Sequence, residues 1–317
     1  MRFKRKNVKL NLIDSKNETF RITTNGNTDD LLASIKHVGL LNPPLLIKAN
    51  SIYMIVCGFR RIAACRRLGL EDLEARVLDA CTTGLECVRY AIVDNASQRP
   101  LNLVEKSRSI DMLSGFFKNT GNLIKELSAL GLSESHSFIK KIKKICHLPI
   151  SIQKAILSNT LSLSMALELG NLEPMLGESF AKLFEQLKLS SSKQREIFTR
   201  IREIALRDDV SMLTVLSDND LQDILSNEDY DRNQKTHKIR QYLKQRRFPA
   251  ITKSEQRFEK HLKELNLQKD IQLIPPKHYE STTFILNFSF RSIDELNDCK
   301  STLDAIIKNP SLKKILD

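Results

Sequence analysis

The stretch "SIYMIVCGFRRIAACRRLGL", residues 51–70, constrains the fold more than any other. Its first half, Ile52-Tyr53-Met54-Ile55-Val56, is a short apolar run bounded by a turn, which reads as a strand. Its second half carries Arg60, Arg61, Arg66 and Arg67 among apolar residues at helical spacing, and Gly69 follows. Gly58 is the joint between the two. A glycine there lets backbone approach an anion, and the helix start behind it offers amide donors with no partner inside the helix. Arg60 and Arg61 can fork to phosphate oxygens. The same residues also suit an exposed helix start with a charged face. The Walker pattern G-x-x-x-x-G-K-[ST] is absent, which excludes that kind of phosphate loop.

The flanks extend this into a small α+β module. "DDLLASIKHVG" puts Leu31, Leu32, Ile35 and Val38 on one helical face, with Thr28 or Asp29 to cap it and Gly39 to end it. "PPLLIKA" reads as a strand, Ala49-Asn50-Ser51 turns the chain, and "LEARVLD" (73–79) is a third strand. Residues 28–95 therefore form one domain. Residues 1–27, which open on "MRFKRKNVKL", read as a basic, flexible tail.

Beyond about residue 85 the period becomes helical almost without interruption. Residues 96–177 read as an all-α domain and 178–265 as a further helical region. In "NLIKELSALG" Leu123, Ile124, Leu127 and Leu130 share a face, and Gly131 allows the positive-φ corner that joins two steeply crossing helices. Ser133 can cap the next helix, which buries Phe138, Ile139, Ile142, Ile145 and Cys146 and leaves Lys140, Lys141, Lys143 and Lys144 outside. That is the layout of a helix-turn-helix reader: lysines on phosphates, with Ser135, His136 or Ser137 near the base edges. The alternative is a solvated helical hairpin.

Charge favours the first reading. The net charge is +12, which calls for a polyanionic partner. No apolar run approaches the roughly eighteen residues that cross a bilayer, and the basic N-terminus lacks the apolar core of a secretory signal, so the expected location is cytoplasmic and nucleoid-associated. The six cysteines show no C-x-x-C pair and read as small buried hydrophobes.

Three segments in order, "VGLLNPPLLI", "VCGFRRIAACRRLG" and "VDNASQRPLNLVE", resemble the ParB family of partition proteins, whose N-terminal domain has a ParB/sulfiredoxin-like fold. The resemblance runs from about residue 28 to 172, including the helix-turn-helix and "LPISIQKAILSNTLSLSMALELGNL". It implies a sequence-specific DNA-binding protein of chromosome or plasmid segregation that binds double-stranded DNA as a homodimer and closes into a clamp with CTP and magnesium. Carried over by position, Pro43, Pro44 and Leu45 would meet the cytidine. Gly58, Arg60, Arg61 and Arg99 would hold phosphates, and Asp94 with Asn95 would serve the metal and hydrolysis. The basic tail, with Arg2, Lys4, Arg5 and Lys6, would meet a ParA-like ATPase. The chain departs from the family where Phe59 and Ala63 replace charged residues and where Gln98 precedes Arg99. Weak CTP hydrolysis is left open, and the alternative is a regulator of transcription on the same scaffold without turnover. The sulfur-acid reductases that share the fold need a cysteine where this chain has Phe59.

The last segment, 266–317, reads as a small αβ module. Phe284, Leu286, Phe288 and Phe290 alternate in "TTFILNFSF", and two strands cannot bury such a face alone. Dimerisation through it is expected, with packing on the helical region as the alternative. "KTHKIRQYLKQRRF" reads as either a second phosphate-contacting helix or a solvated linker.

Overall fold

The computed structural model describes residues 3–24, 28–267, 270–279 and 281–316. The chain falls into two compact units, Met1–Glu185 and Gln186–Asp317.

The first unit is built on a five-stranded sheet. Its strands are β1 (Phe3–Lys9), β2 (Ile13–Asp14), β3 (Leu45–Ala49), β4 (Ile52–Cys57) and β5 (Asp72–Leu78), in the order β1-β5-β3-β4-β2. β3 and β4 pair antiparallel through a two-residue turn, Ala49 facing Ile52, with Asn50 at φ 57°, a conformation asparagine tolerates. β3 lies parallel to β5, which requires the crossover through α2 (Phe59–Arg67). α1 (Asp29–Val38) packs against α2. Between sheet and helices lie Leu46, Ile55, Ile62, Cys65, Ala75 and Val77, all buried.

The expected flexible tail is instead part of the sheet. β1 pairs antiparallel with β5 over its whole length, from Phe3 opposite Leu78 to Lys9 opposite Asp72. Val8, Leu10, Ile13, Phe20 and Ile22 are buried. The sequence disguises this because β1 is an edge strand with Lys4, Arg5 and Lys6 exposed. Charged side chains on an edge discourage stray strand pairing and leave little apolar alternation to read.

α3 (Gly84–Ala96) and α4 (Leu103–Ser114) start on reciprocal capping boxes, Thr83 with Glu86 and Asn102 with Glu105. α4 is the hub of the helical part. It packs against α3, α5 (Thr120–Ala129), α6 (His136–Ile142) and α7 (Ile150–Leu157), and Val104, Ile110 and Leu113 on it are almost wholly buried. α8 (Leu163–Leu169) and α9 (Pro174–Leu187) follow.

The second unit holds α10 (Ser191–Asp208), α11 (Met212–Leu216), α12 (Asn219–Ser226), α13 (Arg232–Arg247) and α14 (Pro249–Leu265). A hairpin of β6 (Ile271–Ile274) and β7 (Ile285–Phe288) comes next, then α15 (Ile293–Lys308) and α16 (Pro310–Leu316). Phe284, Leu286 and Phe288 are half-buried against the cluster of Phe258, Leu265, Ile271, Leu273 and Ile306, so the face expected to form a dimer is partly covered within the chain itself. Phe290, the last of the alternating set, is exposed.

Candidate functional site

A cavity of about 480 Å³ opens where α1, the loop after it, the start of α2 and the end of α3 converge. Its apolar wall includes Ile22, Leu31, Ile35 and Leu41, and its polar wall Asp30, Asn42, Arg60, Arg61, Asn95, Gln98 and Arg99. That size suits a nucleotide-sized ligand. Gly58 sits at the mouth of α2 with φ 96°, a left-handed conformation, and a β-carbon there would fall 2.8 Å from the Pro44 β-carbon. Only glycine lets the strand turn this tightly into the helix against the loop. The first residues of α2, Phe59, Arg60 and Arg61, line the cavity, and the first amides of a helix have no partner inside it.

The arginines divide by role. Arg61 donates to the carbonyl oxygens of Asn42 at 2.9 Å and Pro43 at 3.4 Å, and to Asp94 Oδ2 at 2.8 Å. It ties together the loop, the start of α2 and α3. Arg60 is half-buried and lines the cavity. Arg66 and Arg67 face away from it. Arg66 donates to Leu10 O at 2.9 Å and Ile13 O at 2.7 Å, while Arg67 bonds Thr28 Oγ1 and Asp29 Oδ1, each at 2.9 Å. The second arginine pair therefore holds the N-terminal segment and the start of α1.

Two expected contacts are arranged differently. Pro43, Pro44 and Leu45 are buried behind the cavity, and the wall itself is formed by residues 39–42 just before them. Arg99 reaches the cavity, but its guanidinium forms a fork on Glu105, Nη1 to Oε2 and Nη2 to Oε1, both at 2.7 Å. Glu105 is wholly buried and also accepts from the backbone N–H groups of Thr24 and Asn102. Burial alone would raise its carboxyl, but the Arg99 fork and those two amides hold it below the ordinary value. The sequence left this residue unread because it looks like a plain capping-box glutamate.

The helix pair around Gly131 forms a second surface. α5 ends at Ala129, Gly131 adopts φ 78°, and Leu132 N–H returns to Leu127 O at 2.8 Å, a glycine-dependent helix stop. α6 begins later than the Ser133 cap implied: Ser135 is the N-cap, its side chain accepting from Phe138 N–H. Its position as N-cap leaves His136 and Ser137 exposed on the first turn. Ile139, Ile142 and Ile145 are buried as expected, but Phe138 and Cys146 are only half-buried. Lys140, Lys141 and Lys144 are exposed, whereas Lys143 is half-buried and its ammonium stands 3.8 Å from Asp111 Oδ1. The helix also stops sooner than expected, at Ile142. Ser107 on α4 clasps the following turn, donating to Lys143 O and accepting from Cys146 N–H.

Residues 4–96, the whole of the sheet domain through α3, match the ParB N-terminal domain family. Over those residues the chain carries a ParB N-terminal domain. It is 28% identical over 134 residues to the probable chromosome-partitioning protein ParB of Campylobacter jejuni, covering 42% of this chain and 46% of that protein. Against the probable plasmid-partitioning protein ParB of Thermus thermophilus it is 26% identical over 209 residues, 56% of this chain and 68% of that one. The chain spans about half the length of the first of the curated relatives it matches. Among solved structures, a truncated chromosome-partitioning ParB of Caulobacter crescentus complexed with CTP-γ-S is 23% identical. It covers 57% of this chain and 98% of that one, with a TM-score of 0.28.

Within this ParB domain the two groups of a metal–nucleotide complex fare differently. The cavity fits a nucleotide: a glycine cradle, a helix start and arginines meet an apolar wall. The metal donors do not fit. Asp94, the expected magnesium ligand, is held by Arg61 on Oδ2, which also accepts from Gln98 at 3.3 Å, while Arg76 stands 4.0 Å from Oδ1. Asn95 lines the cavity, but its amide donates to Ala91 O within its own helix. Phe59, at the position where the family carries a charge, lies under the Arg21 guanidinium, 5.7 Å from the ring centre.

Cys57, Cys65 and Cys87 are buried and Cys146 and Cys299 half-buried, while Cys81 is exposed. No described helix is long and apolar enough to cross a membrane. The basic α13 is not a bare phosphate surface. Arg240 pairs with Glu196, Lys244 with Glu255, Arg246 with Asp218 and Arg247 with Glu203, so much of its charge is neutralised within the second unit.

Proposed function

We propose that this chain is a ParB-family protein that binds double-stranded DNA in chromosome or plasmid partition and binds a nucleoside triphosphate in the cavity at Gly58. The observation that carries the nucleotide reading is the junction of β4 and α2. An open helix start behind a φ-positive glycine, with Arg60 beside it and Arg61 braced across the mouth, offers amides and guanidinium groups to a polyanion. The family resemblance supports CTP as that nucleotide, with the apolar wall of Leu31, Ile35 and Leu41 available to base and ribose. Gly58 and Arg60 contact phosphate. Arg61 holds the loop in place and Arg99 approaches from the far side.

DNA contact is assigned to α6. Lys140, Lys141 and Lys144 meet backbone phosphates, and His136 and Ser137 at its exposed start, beside Ser135, are the base-reading candidates. Lys143 contributes less because Asp111 shares its charge.

A specific observation favours binding without turnover. Asp94, held between Arg61 and Arg76, is not open to the family's metal role, which matches a regulator or a clamp that resets by nucleotide release. Self-association is proposed through the second unit. Since the phenylalanine face is already half-buried within the unit, the more open surface is the outer side of the hairpin and α15, where Ile274, Ile285, Ile293 and Ile307 are exposed. A ParA-like partner would meet a strand edge at Lys4–Lys6 rather than a loose peptide.

The test is equilibrium binding of CTP, ATP, GTP and UTP to the full chain, with and without a mixture of genomic DNA fragments. Selective CTP binding that DNA strengthens, with no release of phosphate, is expected. DNA binding with no nucleotide bound would overturn the nucleotide reading and leave the arginines of residues 58–67 as scaffold.

A further inference from the structure

Asp111, Cys146 and His147 come together beside the end of α6. One ligand atom of each lies within 4.8 Å of the others, and His147 Nε2 is 3.1 Å from Asp111 Oδ2. We propose that these three side chains bind a divalent transition-metal ion, zinc in the first place, and so fasten α4 to the turn that closes α6.

The donor set argues for that class of metal. One sulfur, one imidazole nitrogen and one carboxylate oxygen suit zinc, cobalt or nickel, whereas magnesium and calcium take oxygen alone. In a tetrahedral zinc site with bonds of about 2.0–2.3 Å, the ligand atoms stand roughly 3.3–3.7 Å apart. The His147–Asp111 pair, at 3.1 Å, is slightly tighter than that spacing, and the Cys146 sulfur, which donates to Lys143 O at 3.4 Å, lies within 4.8 Å of both, so a modest shift of each side chain closes the set on an ion.

The surroundings are those of a held ligand set. Asp111 Oδ2 faces His147 while Oδ1 faces the Lys143 ammonium at 3.8 Å, so one oxygen is left to the metal and the other has an outer partner. Cys146 N–H donates to Ser107 Oγ at 2.8 Å, which fixes the backbone from which the sulfur projects. Cys146 and Asp111 are half-buried and His147 is exposed, giving the ion an entry path and leaving a fourth position to water. The site uses none of the cavity residues and would stand whether or not α6 touches DNA.

The test is titration of the full chain, chelator-treated and kept reduced with a phosphine, with cobalt(II). One equivalent should give a thiolate-to-cobalt charge-transfer band together with the visible bands of a tetrahedral ion, and added zinc should abolish both. C146S should lose the charge-transfer band. H147A changes an exposed side chain, so its fold is safe, and should weaken cobalt binding by at least about tenfold. The proposal is overturned if no saturable thiolate band forms, or if the band survives C146S and disappears with C81S, which would put the metal on the exposed Cys81 instead. An H147A protein that binds cobalt like the parent would also overturn it.

Discussion

A guanidinium has five N–H donors and no acceptor, and Arg61, on α2, uses them on two carbonyls of one loop and a carboxylate of α3. Its side chain is only 14% exposed, so the loss of this one residue leaves Asp94 and two carbonyls short of partners. R61A should destabilise the first unit by about 2–3 kcal/mol, measured by urea unfolding, and R61K should recover little because an ammonium cannot span the same fork. Glu105 makes the complementary prediction about pH. Its folded carboxyl titrates below the ordinary 4.5, so the stability it contributes is full above that value and drains away as pH falls through the lower, folded value. E105Q should therefore be less stable than the parent at pH 7, with a shallower loss of stability on acidification below pH 4.5. Equal acid slopes in the two proteins would remove Glu105 from the account.

At the scale of elements, the sequence was most legible where local chemistry alone decides. The strand–Gly58–helix joint, the two-residue turn at Asn50 and Ser51 and the stop at Gly131 each announce themselves in a few residues. It misled where partners come from far along the chain. β1 looks like a charged tail because its hydrogen-bonding partner lies near residue 75, and the phenylalanine face looks bare because Phe258 and Leu265 come well before it and Ile306 after it. Substitutions on the two sides of the hairpin should therefore behave differently. F288D should unfold the hairpin by putting a charge against the cluster of Phe258, Leu265, Ile271, Leu273 and Ile306, seen as lost near-ultraviolet circular dichroism. I293D with I307D should leave the fold intact and shift the sedimentation coefficient toward the monomer. For α6, changing Lys140, Lys141 and Lys144 to alanine should weaken DNA binding on every sequence. The log–log slope of affinity against salt should flatten by up to about 0.9 for each phosphate no longer neutralised. K143A should do distinctly less, since its charge is already shared with Asp111.

For the molecule as a whole, the +12 charge pointed to a polyanion but could not say where it would bind. In the folded chain much of the basic charge of α13 is absorbed by Glu196, Glu203, Glu255 and Asp218, whereas Lys140, Lys141 and Lys144 of the proposed DNA contact are exposed. Likewise the cavity arginines could be counted from the sequence, but which of them brace the fold depends on Asn42, Asp94 and Glu105, residues that only the folded chain brings to them.

α4 touches both regions. Near its start Glu105 holds Arg99 at the rim of the cavity, and within the next two turns Ser107 and Asp111 hold the chain that leaves α6. A single helix of about 18 Å thus stands in contact with both proposed ligands' sites. Any strain that a nucleotide places on it is subject to thermodynamic reciprocity. Whatever factor the nucleotide adds to DNA affinity, DNA must add to nucleotide affinity, and two calorimetric titrations of each ligand, alone and with the other present, must return the same ratio.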